Sequence, residues 1–91
     1  MSNYQDLAEQ LQLIKEELNE ATRKNQIPEL VESKARTLIL EVIEETKTSS
    51  PNKSSILDYL NKASACIDGI SSVSSIFSAL REAYNWVETS L

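Results

Sequence analysis

The sequence predicts an all-α fold, an antiparallel bundle of four helices near 3–25, 28–47, 51–68 and 70–90. Three observations carry this. Apolar residues at both ends of the chain recur at alternating spacings of three and four, the period of one helix face. Proline and glycine, which interrupt helices, occur only at Pro28, Pro51 and Gly69, and so mark helix boundaries. Only positions 38–43 are rich in β-branched residues, and a lone strand would have nothing to pair with.

In the first helix Tyr4, Leu7, Leu11, Ile14, Leu18 and Ala21 are spaced 3-4-3-4-3, a seam that Ala8 widens. Ser2 with Gln5 fits a capping box, and Glu20 with Lys24 makes an i,i+4 pair in the favourable order. Ile27-Pro28 ends this helix and opens the next, because proline's missing N–H would be unpaired in a first helical turn anyway. Val31, Ala35, Leu38, Ile39, Val42 and Thr46 form the second stripe, with Glu32 and Arg36 paired at i,i+4. Thr48-Ser49-Ser50 is a polar linker, and Ser50-Pro51 repeats the signal of a cap followed by proline.

The third stripe is Ile56, Leu57, Leu60, Ala63, Ile67 and Ile70, flanked by Asp58 and Lys62. The fourth is Ile70, Val73, Phe77, Leu80, Tyr84, Val87 and Leu91. The phase slips between them. Either Asp68-Gly69 ends the third helix as a left-handed cap, or the helix runs on through Gly69 and the bundle has three helices. The expected core is Tyr4, Leu7, Leu11, Ile14, Leu18, Val31, Leu38, Ile39, Val42, Leu60, Ile67, Val73, Phe77, Leu80, Tyr84 and Val87.

Ninety-one residues make one domain, 1–91, and 41% hydrophobic content excludes a disordered chain. With no His and only Cys66, the common general base, zinc ligand sets and an internal disulfide are all missing. No glycine-rich phosphate loop or nucleophile elbow occurs. The chain is therefore expected not to be an enzyme, and to need no metal, cofactor or small-molecule ligand. A net charge of −5 repels phosphate backbones, so nucleic acid is not an expected partner. The first residues lack the basic start and apolar run of a signal peptide. No uncharged apolar run is long enough to span a bilayer, and the single cysteine fits a reducing, cytoplasmic setting.

Three features are candidates for contact with a partner. Glu16, Glu17, Glu20 and Glu41, Glu44, Glu45 sit late in their helices, where acids oppose the macrodipole. They form either a patch for a basic partner or a solvated face. Positions 63–80 carry one charge, Asp68, among small residues. Such a stretch suits a second helix contact, plain surface, or a membrane-lying helix, although the last wants more cations than Arg81 alone. Trp86 lies off the fourth seam, on the line Ser75, Ala79, Ala83, Trp86, Ser90, and Tyr59 is similarly displaced in the third helix. Each is either an interface anchor or part of a broad buried face.

The glutamate-rich first helix and the serine- and alanine-rich end closing on Asn85-Trp86-Val87-Glu88 resemble effector-associated-type adaptor regions. These are small helical accessory regions of bacterial multidomain proteins, and the resemblance covers residues 27–91. It implies homotypic or heterotypic recruitment rather than catalysis. The expected function is a non-enzymatic protein–protein interaction module acting through helix–helix contacts, its partner a second copy or another helical domain. The residues expected to carry it are Trp86, Tyr59, Ser75, Ala79, Ala83, Glu41, Glu44 and Glu45. The alternatives are a small acidic inhibitor that covers a basic nucleic-acid-binding surface and a membrane-associating helical effector.

Overall fold

A computed structural model describes residues 3–91 as four α-helices, with no strand among the described residues. The helices are α1 (Tyr4–Arg23), α2 (Glu29–Thr46), α3 (Lys53–Ile67) and α4 (Ser74–Ser90), with one 3-10 turn, Ser71–Val73, before α4. Short connections make successive helices antiparallel. Extents of 38 × 20 × 18 Å are those of helices lying side by side. α4 returns along α1 and closes the ring through the sparsest of the four neighbour contacts.

The helix ends are set by asparagine and glycine more than by proline. Asn3 caps α1, its Oδ1 accepting the Asp6 N–H at 2.9 Å. The expected cap Ser2 lies outside the described residues. α1 ends at Asn25, which takes the left-handed conformation at φ 59°. The Asn25 N–H donates to the Thr22 carbonyl at 3.0 Å and the Gln26 N–H to the Ala21 carbonyl at 2.8 Å. That pair of bonds is a Schellman motif, so the chain leaves α1 before Pro28 and turns Ile27 into the core. Pro28 is the N-cap of α2 rather than its first helical residue, and it supplies no side-chain cap. α3 is capped by Asn52 instead of Ser50, its side chain accepting the Ser55 N–H at 2.9 Å.

Gly69 breaks the helix, which selects four helices over three. Asp68 (φ −59°, ψ 134°) and Gly69 (φ 80°) stand between the Ile67 carbonyl and the Ile70 N–H that bonds it at 3.2 Å. This is a type II turn, whose third residue needs positive φ. The 63–80 stretch is therefore not one helix, and α4 begins at Ser74 rather than near 70.

One apolar cluster draws on all four helices. Leu7, Leu11, Ile14 and Leu18 of α1 are wholly buried. Tyr4, Val31, Leu38, Phe77 and Tyr84, expected in the core, are instead half-buried at its edge. In α4 the buried line is Val73, Ile76, Leu80, Ala83 and Val87, which shares only 73, 80 and 87 with the expected seam. The physical reason is that a corner helix must serve two neighbours, so its buried face is the bisector of both contacts. Phe77 and Tyr84 fall to the α3 flank, where the Arg81 guanidinium lies 4.5 Å from the Tyr84 ring centroid. Arg81 also donates to Asn61 Oδ1 of α3 at 2.9 Å.

Leu11→Ala and Leu80→Ala should each lower the unfolding free energy by about 2–5 kcal/mol in urea titrations followed by circular dichroism. The corresponding Asp variants should lose the cooperative transition. Gly69→Ala should cost about 1 kcal/mol, purely from the backbone, because a Cβ there meets nothing within 4 Å.

Candidate functional site at the seam between the first and last helices

Helical spacing puts Leu13, Glu17, Glu20 and Lys24 on one line of α1. The last three line a recess of about 210 Å³ with Ser72 of the 3-10 turn and Ser75 and Ile76 from the start of α4. This line of α1 therefore faces α4, and the two helices run antiparallel. On α4, Ser75, Ala79 and Trp86 continue the facing line, and the antiparallel run carries Leu13 to the level of Glu82–Trp86. Leu13 is 54% exposed, a large apolar side chain that the fold leaves in water. Trp86 and Ala79 are half-buried against the core.

Both walls of this seam carry acids. Along α1, Glu17 has no ion-pair partner among the described residues, whereas Glu20 is held by Arg23 at 2.6 Å and Lys24 at 3.9 Å. Glu9 and Glu16 turn to the α2 flank, where they line recesses with Ile43 and Lys47 and with Arg36. Along α4 the wall is Ser75, Ala79 and Trp86 with exposed Glu82 between the last two, and the only cation of that helix, Arg81, is turned to α3. A seam of this kind can take an apolar stripe against Leu13 and Trp86 and cations against the α1 acids.

The structure brings together only some of the residues singled out in the sequence. Trp86, Ala79 and Ser75 share the seam. Ala83 does not: it is fully buried in the core and offers no surface. Tyr59 is half-buried on the flank of α3 opposite Asn61, so it faces away from α4. Glu41 and Glu44 are exposed on the outer face of α2, away from the seam. Glu45 is a loop clasp, its Oε2 accepting the Asn52 N–H at 2.9 Å. Among the described residues, no group of three His, Cys, Asp or Glu could hold a metal ion, and no helix is long and apolar enough to cross a membrane.

One notable residue was read from sequence only as a surface pair. Glu32 is 5% exposed, on the buried line 32, 35, 39, 42 of α2. Its Oε1 forms an ion pair with Arg36 Nη1 at 3.2 Å, while Oε2 is buried with no hydrogen-bond partner among the described residues. A buried, unsatisfied oxygen costs about 1–3 kcal/mol. The signal in the sequence was spacing: Glu32 lies three residues before Ala35, in phase with the apolar stripe. Leu13 was missed because it falls outside the first seam, among charged neighbours.

Replacing Glu32 by Met, of similar volume, should raise stability by about 1 kcal/mol in chemical denaturation, since it removes a poorly satisfied buried charge. A loss of stability would mean that the carboxylate contributes to the fold. Comparison of the chain with protein-family models, with curated proteins and with solved structures finds no match.

Proposed function

We propose that this chain is a non-enzymatic protein–protein interaction module whose α1–α4 seam receives an amphipathic helix with basic flanks. The observation that carries the reading is exposed Leu13, on the α1 line that leads into the recess shared with α4, beside the sparsest of the four neighbour contacts. Trp is enriched at interaction hot spots, and an exposed leucine beside it is the kind of apolar surface a partner helix covers. Glu17, which has no ion-pair partner among the described residues, supplies the electrostatic selection. A second copy that met this seam with its own would bring only the cation Lys24, already 3.9 Å from Glu20, so the partner is another helical chain rather than this one. Recruitment, as the resemblance to bacterial adaptor regions implies, is the corresponding role, in a reducing cytoplasm that keeps Cys66 a thiol.

The acidic-inhibitor reading shares Glu17 but makes no use of Leu13 or Trp86. Salt separates the two, because a purely electrostatic complex dissolves with ionic strength and a seated apolar stripe does not.

Trp86 is the only tryptophan, so its emission reports on the seam directly. Titration with a designed helical peptide bearing a leucine stripe and lysine flanks should shift that emission to the blue and saturate. A twin peptide with glutamate flanks should not bind. Leu13→Glu, at an exposed position, should leave the fold intact and weaken binding by about 2 kcal/mol, roughly thirtyfold. Light scattering should give the monomer mass throughout. Equal binding of both peptides, or no effect of Leu13→Glu, overturns the proposal.

A further inference from the structure

The opposite flank of α1 holds a second feature, independent of the seam. A cleft of about 370 Å³ lies between α1 and α2, lined by Asn19 and Thr22 of α1 and by Glu29, Glu32, Ser33 and Arg36 of α2. We infer that this cleft is a binding site for a cationic nitrogen donor, a primary ammonium or guanidinium group, that satisfies the unpartnered Glu32 oxygen.

Glu32 is more than nine-tenths buried, and its Oε2 has no donor. The residues around it cannot supply one without rearrangement. The Thr22 hydroxyl is already spent, donating to the Leu18 carbonyl at 3.2 Å. Arg36 reaches Oε1 with a single nitrogen and is itself 43% exposed. That one-pronged hold is easily given up, so the guanidinium can pivot and open a way to Oε2. Asn19 and Ser33 add polar side chains that have no partner among the described residues.

The chemistry of the occupant follows from this inventory. Two carboxylates, Glu29 and Glu32, face one guanidinium, so an anion would add a third negative charge. A divalent cation wants six or more oxygen ligands, and the described residues hold no metal-sized group of acids. A lone water fills about 30 Å³, a small part of the cleft. An N–H cation matches both requirements, the missing donor and the missing positive charge.

The test is an amide NMR titration of the full chain with n-butylammonium, using tetramethylammonium at equal ionic strength as a cation without N–H. Butylammonium should produce saturable shifts at residues 19–22 and 29–36, and tetramethylammonium should not. Glu32→Gln should weaken binding at least tenfold. Glu29→Gln, at an exposed position on the cleft, should weaken it severalfold and keeps the test decisive if Glu32→Gln does not fold. Putrescine and a lysine blocked at both ends then separate the sources. Tighter binding of the diamine assigns the site to free polyamines, and tighter binding of the lysine assigns it to a protein side chain. Equal responses to both ammonium ions, no response, or unchanged binding in the folded variants overturns the inference.

Discussion

Burial of the α1 stripe is the interaction on which the rest of the structure depends. Leu7, Leu11, Ile14 and Leu18 are wholly removed from water, yet α1 touches α4 only sparsely. The first helix is therefore held mainly by α2 and by the shared core. In a chain of this size, with little apolar surface to spare, filling the centre takes precedence over closing the outer edge of every seam. The consequence is a bundle tight between α2 and α3 and open between α1 and α4. Leu13 stays largely in water for this reason: α1 turns its seam to the centre and leaves this flank outside it.

The helices were largely legible in the sequence, because apolar spacing reports the buried face directly. The α1 stripe is the clearest case, since one continuous seam coincides with the observed core. Gly69 was legible as a break, because a type II turn needs a residue tolerant of positive φ. The start signals were misplaced by one or two residues. Asparagine at positions 3 and 52 competes for the cap with the serines beside it, and local hydrogen-bond geometry decides between them. The rotation of α4 was not legible. The lines 73-77-80-84-87 and 73-76-80-83-87 satisfy the same period, and only the presence of two neighbours selects the second. This is what moved Ala83 from a candidate contact into the core and left Phe77 and Tyr84 at its edge.

The same ambiguity governs the candidate site. Ser75, Ala79 and Trp86 were visible as an off-seam line, but nothing in the sequence says which helix that line faces. The recess shared by Ser75 with Glu17 and Glu20 supplies that direction. Glu32 was hidden by its own partner, since an i,i+4 Glu–Arg pair is the usual signature of a solvated helix face. Its burial makes α1 a wall shared by two features: an open apolar seam with an acidic wall on one flank, and a polar cleft around an unsatisfied carboxylate on the other. Both would select positively charged groups, which gives the net charge of −5 a spatial meaning beyond solubility.

The seam between α1 and α4 is the weakest edge of the bundle, the sparsest of its four neighbour contacts. Native-state hydrogen exchange, read amide by amide, tests it most directly. The account expects amides of α1 and α4 to exchange through partial openings at least about 1 kcal/mol below global unfolding, while α2 and α3 exchange only with it. Exchange of all four helices at one common free energy would contradict it.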